Sequence, residues 1–209
     1  MIDRIQWLGH SSFCLQGPPL IYIDPLGIGR NAFLADVILI SQASYDYYSP
    51  ADVRKLCGPN TLILANAEVA EALAPLDVQA LRPWHSVNYG RTRITAVPAA
   101  ETGSFLDHSL GFLISLHYYD IYYAGGSALL PEAKHLRPDI AILPVGNRHN
   151  GLAAVEQAVD VVKALRPRWV IPNHRNSGAG GSYLDLKVFQ EAVGDLAMVV
   201  MPGQVAAAG

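Results

Sequence analysis

Short runs of β-branched and aromatic residues recur along the chain, and turns rich in glycine and proline separate the first of them. The segment 36–41 (DVILIS) is almost wholly apolar, which is typical of a strand buried on both faces. From these patterns we predict strands over 2–8, 12–16, 20–23, 36–41, 61–65, 91–97, 110–117, 120–124, 139–144, 168–172 and 197–201.

Helices are predicted between several of these strands. Ser49 is a good N-cap for a helix whose first turn contains Asp52, and a short helix follows over 68–73. Over 152–165 the apolar residues recur every three or four positions, as on the buried face of a helix. A last helix is predicted over 184–193.

The order of these elements restricts the fold class. Meanders of neighbouring strands exclude a purely parallel sheet, and the inserted helices indicate an α/β (α+β) protein. Two mixed β-sheets packed face to face, with helices on the outer faces, accommodate the pattern. Since no linker, repeat or low-complexity segment divides the chain, we predict a single domain over 1–209.

Composition narrows the classes of function. Hydrophobic residues make up 51% of the chain, whereas charged residues make up only 16%, against about 25% in an average protein. This balance suggests large buried sheets or a surface hidden in a homo-oligomer. The net charge of −3 argues against nucleic acid as a partner, and no apolar run is long enough to cross a membrane. The first residues do not form a signal peptide, so a cytoplasmic location is expected.

Six fragments, taken in order and at their spacings, carry a resemblance to one family. They resemble the metallo-β-lactamase fold, in the branch that includes the ascorbate-6-phosphate lactonase and many metal-dependent hydrolases. The fragments are WLGHSSF (7–13), YIDP (22–25), ADVILIS (35–41), YYAG (122–125), DIAILPVG (139–146) and VIPNH (170–174). The resemblance spans nearly the whole chain and implies a four-layer αββα sandwich.

The ligand motif of this family is altered in the chain. In the family two zinc ions generate a hydroxide nucleophile, and an H-x-H-x-D-H motif after the apolar strand supplies ligands. Here the corresponding loop reads QASYDY, so Gln42, Ser44 and Tyr47 stand at histidine positions and only Asp46 matches. Gly126 stands where the family has a bridging aspartate. Neutral oxygen donors bind Zn²⁺ poorly, so we predict that the chain holds no dinuclear zinc site.

Few groups remain that could catalyse a reaction or bind metal. The resemblance implies that Asp46 and His174 are remnant ligands, and Glu101 lies near another ligand position. We expect no cofactor beyond at most one weakly bound metal ion, and we favour the interpretation that these groups only form loop hydrogen bonds. Tyr47 is a further catalytic candidate, because its phenol could fill the vacated pocket and bond to Asp46 or His174.

The remaining tyrosines and histidines have simpler interpretations. Tyr45 and Tyr48 are expected to pack against the following helix. The resemblance implies that His10 and Asp24 form the floor of the site and support the ligand residues. The histidines outside the motif are expected to lie at the surface or in ordinary hydrogen bonds; they are His85, His108, His117 and His135.

Two asparagine-rich loops suggest an anion site. Arg148 and His149 follow one predicted strand, and His174 and Arg175 follow a later one. If the family fold holds, both loops leave the same edge of a sheet, where they suit a small anionic ligand such as phosphate or carboxylate. The alternative is that both loops are ordinary turns with solvated arginines.

Three hypotheses for function follow. The first is a pseudo-hydrolase, which has lost its metals and keeps a polar pocket that includes Gln42 and Ser44. The second is an active hydrolase that uses one metal ion or none through Asp46, Glu101 and His174. The third is a structural or partner-binding subunit.

Overall fold

The computed structural model describes residues 1–99, 109–126, 131–145, 151–173 and 183–201. Several residues of the predicted sites lie outside the described residues; they are Glu101, His108, Arg148, His149, His174 and Arg175. The chain forms two compact units, of which the first covers 1–82 and the second covers 83–201.

The first unit contains a six-stranded mixed sheet. Its strands lie side by side in chain order: β1 (Ile5–Gly9), β2 (Ser12–Leu15), β3 (Ile21–Ile23), β4 (Val37–Leu39), β5 (Leu62–Ala65) and β6 (Val78–Ala80). Strand β2 pairs antiparallel with both β1 and β3, whereas β3 to β6 run parallel. Parallel pairing places the carboxyl ends of β3, β4 and β5 at one edge of the sheet.

Two short helices cover one face of this sheet. They are α1 (Pro50–Leu56) and α2 (Ala67–Ala72), and each begins at a side-chain cap. Asn66 Oδ1 accepts a hydrogen bond of 2.9 Å from the backbone N–H of Val69, which satisfies one of the free donors of a helix start. Val53 and Val69 then pack into an apolar cluster with Ile38 of β4, so the helices are held to the sheet by burial.

The second unit contains a seven-stranded mixed sheet. Its strands are β7 (Ser86–Tyr89), β8 (Thr92–Pro98), β9 (Leu110–Leu116), β10 (Tyr119–Tyr123), β11 (Ile140–Pro144), β12 (Trp169–Asn173) and β13 (Met198–Val199), again in chain order across the sheet. Strands β7 to β10 form an antiparallel meander, and β10 to β13 are parallel. The sheet therefore changes from local to crossover connections at β10.

Two longer helices accompany the parallel half, α3 (Gly151–Leu165) and α4 (Tyr183–Val193). In α3 the residues Val155, Val159, Val162 and Leu165 are all buried, which confirms the predicted apolar face. Phe189 of α4 is fully buried in the same cluster. No helix within the described residues is long and apolar enough to span a membrane.

The predicted fold class, with two mixed sheets and added helices, is confirmed. The first strand begins at Ile5 because Ile2–Arg4 form a 3₁₀ turn. Two strands, β6 and β7, were not predicted. Each lies at the edge of its sheet and has no fully buried side chain, so the alternation that marks a half-buried strand is weak there.

Candidate functional site

The segment 42–47, which we call the motif loop, follows β4 at the carboxyl edge of the first sheet. The end of β3 lies beside it, because β3 and β4 are parallel neighbours in register. The turn between β1 and β2 also reaches it through Ser11, whose hydroxyl donates a hydrogen bond of 3.3 Å to the backbone oxygen of Asp46. Two other segments of the chain therefore meet the motif loop.

Asp24 fixes the residue that precedes the motif loop. Its carboxylate is fully buried, and it accepts hydrogen bonds of 2.7 Å from both the backbone N–H and the hydroxyl of Ser41. Its own N–H donates to the backbone oxygen of Leu39 at 2.8 Å. Asp24 has a positive φ of 47°, a conformation that aspartate tolerates better than most residues. The carboxylate thus ties the ends of two neighbouring strands together.

Main-chain hydrogen bonds shape the rest of the motif loop. The backbone oxygen of Ser44 accepts from the N–H groups of Tyr47 and Tyr48, at 3.0 and 3.4 Å. Ser49 then donates its N–H to the backbone oxygen of Pro25 at 3.0 Å, and its hydroxyl accepts from Asp52 N–H at 3.3 Å, which begins α1. The loop therefore leads through a tight turn directly into a capped helix.

The side chains of the motif loop differ in exposure. Gln42 and Tyr47 are buried, whereas Ser44 and Asp46 are half-buried. The packing predicted for Tyr45 is wrong, since 78% of this residue is exposed. Tyr48, in contrast, is buried in the apolar cluster that includes residues of α1, as predicted.

Burial raises the pKa of one thiol and two phenols of the first unit further above neutral pH. Cys14 and Tyr22 face each other across β2 and β3, and burial raises the pKa of Cys14 to about 11 and that of Tyr22 to about 12. Burial, together with the negative charge of Glu68, raises the pKa of Tyr48 above its ordinary value. At neutral pH none of these three groups supplies an anionic nucleophile or metal ligand.

His10 lies in the turn that carries Ser11 toward the motif loop. Gly9 and His10 both have positive φ, 117° and 49°, as the tight reversal between β1 and β2 requires. The backbone oxygen of His10 accepts from the indole N–H of Trp7 at 3.0 Å, which fixes the turn. His10 is half-buried, so the turn holds an imidazole at the same sheet edge as Asp24.

The donors at this edge do not fit a pair of zinc ions. Both carboxylate oxygens of Asp24 accept from Ser41, and Gln42 and Ser44 offer a neutral amide and hydroxyl in place of imidazoles. Within 1–99 and the other described ranges, no three histidine, cysteine, aspartate or glutamate side chains are grouped closely enough to hold a metal. Of the two predicted remnant ligands, Asp46 and His174, only Asp46 lies within the described residues.

The two strands that precede the asparagine-rich loops in the sequence, β11 and β12, end beside each other. Pro144 of β11 and Asn173 of β12 are paired in register, and Val145 N–H donates to the backbone oxygen of Asn173 at 3.3 Å. The segments with Arg148 and Arg175 therefore begin beside each other, although both arginines lie outside the described residues.

Sequence reasoning identified Asp24 and the motif loop but not the serines that connect them. Ser41 and Ser11 are fully buried and hydrogen-bonded, and they stand next to apolar strands where a hydroxyl needs a partner. A serine at the end of a wholly apolar strand is the sequence signal that could have indicated this bond. The surface positions predicted for the described histidines outside the motif agree with the exposure of His85, His117 and His135.

Comparisons with known proteins support the fold. A profile described as the β-lactamase superfamily domain matches residues 4–174. A UPF0173 metal-dependent hydrolase of Pyrococcus abyssi is 29% identical over 228 aligned positions, which cover 96% of this chain and 97% of the relative. A metallo hydrolase of Ignicoccus hospitalis has a TM-score of 0.76 at 22% identity and covers 97% of this chain and 96% of its own. The metallo-β-lactamase fold protein YhfI of Bacillus subtilis has a TM-score of 0.70 at 12% identity, with 95% and 90% covered.

Proposed function

Because the chain belongs to the β-lactamase superfamily domain family, we propose that it is a metallo-β-lactamase-fold protein that has lost dinuclear zinc hydrolysis. The chemistry of the motif loop carries this proposal. Gln42, Ser44 and Tyr47 stand where ligand histidines are expected, and two of them are buried in a loop shaped by its own hydrogen bonds. The specific likeness to the ascorbate-6-phosphate lactonase branch stays a prediction.

The physical argument concerns charge. Two zinc ions held close together repel each other strongly unless anionic ligands, above all a bridging carboxylate, compensate for their charge. Gly126 has no side chain to provide that bridge, and the amide, hydroxyl and phenol of the motif loop are neutral. The side chain of Tyr47 is buried at a position where a ligand is expected, so it leaves less room for a hydrated ion.

We further propose that the chain keeps a polar pocket for a small anion, formed by the two asparagine-rich loops of the second unit. The support is the sequence of the two loops, with Arg148, His149, His174 and Arg175, together with the paired ends of β11 and β12 from which the loops depart. Phosphate should then raise the melting temperature of the wild type by mass action, and an R148A/R175A double variant should lose this effect. Equal stabilisation of both proteins, or none of the wild type beyond a chloride control, would exclude the anion site.

A second candidate is an active hydrolase with one metal ion. It is favoured by the names of the relatives, which are metal-dependent hydrolases. Asp46, Glu101 and His174 would be its ligands, since one imidazole and two carboxylates suit a single divalent ion. A partner-binding or homo-oligomeric role is supported only by the low charged fraction of 16%.

Elemental analysis and activity assays separate these candidates. We would dialyse the wild type against zinc or manganese, measure the bound metal, and assay ester, lactone and phosphodiester hydrolysis. We expect less than one ion per chain and no metal-dependent turnover. A Q42H/S44H/Y47H variant should gain zinc, whereas Tyr45→His, which adds an exposed imidazole to the same loop, should not.

Two results would overturn the leading proposal. Two zinc ions per chain with zinc-dependent hydrolysis would show that the family chemistry is intact. One tightly held ion that supports turnover, and that is lost in Asp46→Ala, would establish the one-metal hydrolase instead.

A further inference from the structure

Trp84 combines an exposed aromatic side chain with an unfavourable backbone conformation. It is 41% exposed, and its φ of +66° lies in the left-handed region, which large side chains rarely adopt. Two hydrogen bonds impose this geometry: Trp84 N–H donates to the oxygen of Ala96 at 2.7 Å, and Ala96 N–H donates to the oxygen of His85 at 2.9 Å. Residues kept in such conformations cluster at ligand sites.

The ring of His135 lies against Trp84, with the ring centroids 5.3 Å apart and the planes inclined by 36°. His135 is exposed, but the segment that carries it is fixed. The guanidinium of Arg137 donates to the backbone oxygens of Lys134 and Leu136, at 2.8 and 2.7 Å, so it clamps the main chain on both sides of His135. We call Trp84 and His135 the aromatic pair.

The aromatic pair lies near the edge of the second sheet where the parallel strands end. Ala96, which accepts the hydrogen bond from Trp84 N–H, lies in register with Tyr123, Ile142 and Ile171 through successive strand pairs. These positions are two residues or fewer from the ends of their strands. A ligand that stacks on Trp84 would thus approach the sheet from its carboxyl edge.

A second partly exposed tryptophan of the same unit provides a contrast. The guanidinium of Arg168 lies 4.2 Å from the centroid of Trp169, and the ring of Tyr119 lies 6.1 Å away. Trp169 therefore has a cation from its own chain over one face. Trp84 instead has an imidazole beside it, which can donate hydrogen bonds to an anion while the indole stacks on a ring.

From this geometry we propose that the aromatic pair binds a planar aromatic ligand that carries a carboxylate or phosphate. The indole offers a rigid stacking surface. Stacking on an aromatic side chain accepts different ring systems, because each of them has a π-face. The segment 131–137 contributes Lys134 and Arg137 against a single acid, Glu132, so the local charge favours an anion. The inference does not depend on the state of the motif loop, so it can fail or hold independently of the proposed function.

Tryptophan fluorescence of the full chain tests this inference. The probes are benzoate and adenosine monophosphate, which share the proposed chemistry, with adenosine and inorganic phosphate as probes that each lack one half of it. The variants are Trp84→Leu and His135→Ala, and the matched control is Trp169→Leu. Circular dichroism checks that each variant is folded, and calorimetry repeats each titration without reliance on fluorescence.

We expect saturable binding of at least one of the two aromatic anions to the wild type and weaker binding of adenosine and phosphate. Trp84→Leu should raise the dissociation constant about tenfold or more, as loss of a stacking residue does, while Trp169→Leu changes it little. His135→Ala should weaken the anions but not adenosine. The inference is overturned if neither aromatic anion binds, if adenosine binds as tightly as adenosine monophosphate, or if Trp84→Leu and Trp169→Leu have equal effects.

Discussion

Two buried aspartates of the first unit, Asp24 and Asp52, hold the chain on either side of the motif loop in different ways. Asp24 accepts from the N–H and hydroxyl of Ser41, seventeen positions away, in a fully buried environment. Asp52 accepts from the ammonium of Lys55 at 2.7 Å and from Gly27 N–H at 2.8 Å, near the surface. The first contact joins strand ends in the interior, and the second is an ion pair that water and salt can reach.

The two contacts restrain the two ends of the motif loop to different degrees. If a buried carboxylate or its hydrogen-bond partner is removed, the remaining polar group has no hydrogen bond in the interior. A half-exposed lysine can be replaced by water at small cost. We therefore expect loss of Asp24, which holds the start of the loop at Ser41, to lower the stability far more than loss of Asp52, which holds its end at α1.

The largest effect should come from Asp24→Ala. It leaves the N–H and hydroxyl of Ser41 buried without their acceptor, so we expect a loss of about 3 kcal/mol in the free energy of unfolding. Urea denaturation measures it, and Asp77→Ala, at an exposed position, is the control. A loss no larger than that of the control would mean that Ser41 finds other partners.

Asp52→Ala should have a smaller effect that depends on salt. It removes the acceptor of Lys55 and Gly27 and a negative charge in the first turn of α1, so we expect about 1–2 kcal/mol. Added sodium chloride should reduce the difference from the wild type for Asp52→Ala and leave that for Asp24→Ala unchanged. The same salt response in both variants would contradict the comparison.

Ser49→Ala should isolate the contribution of the helix start from that of the ion pair. The hydroxyl caps the N–H of Asp52, and loss of such a cap costs about 1 kcal/mol. Asn66→Ala, which removes the corresponding cap of α2, is the matched variant. If neither substitution lowers the urea midpoint, the caps do not stabilise these short helices.

The smallest effect should come from Lys55→Met. The methionine keeps the apolar part of the side chain but loses the bonds to Asp52 and to the backbone oxygen of Ile28, so we expect about 0.5 kcal/mol. Lys163→Met, which breaks a more exposed pair with Asp160, should change the stability even less. A larger loss for Lys163 than for Lys55 would reverse our ranking of the two ion pairs.

The fold was predictable where burial follows a strict period. In α3, Val155, Val159, Val162 and Leu165 are all buried, so their spacing indicated the helix directly. The edge strands β6 and β7 were missed because none of their side chains is fully buried, and pairing at an edge is decided by the neighbouring strand rather than by local pattern.

The site was predictable only in part. The resemblance located Asp24 and the motif loop, because the fragments YIDP (22–25) and ADVILIS (35–41) resemble those of the family. The position of Ser41 at the end of an apolar strand signals that its hydroxyl needs a partner, but the identity of that partner could not be predicted. It depends on how closely the ends of β3 and β4 approach. For Tyr45 the sequence led to a wrong prediction. A large aromatic residue suggested packing, but Tyr45 lies in the turn that the backbone oxygen of Ser44 closes, and it is exposed.

The change of connection type within the seven-stranded sheet has a consequence for how the second unit folds. Strands β8, β9 and β10 pair with the next strand along the chain, and β9 and β10 are joined at His117 and Tyr118, two consecutive residues with positive φ, as in a tight hairpin. Closing such a hairpin loses little chain entropy, whereas pairing β11 with β12 requires the ordering of α3 between them. Pulse-labelled hydrogen exchange should therefore show protection of β9 and β10 before that of β12.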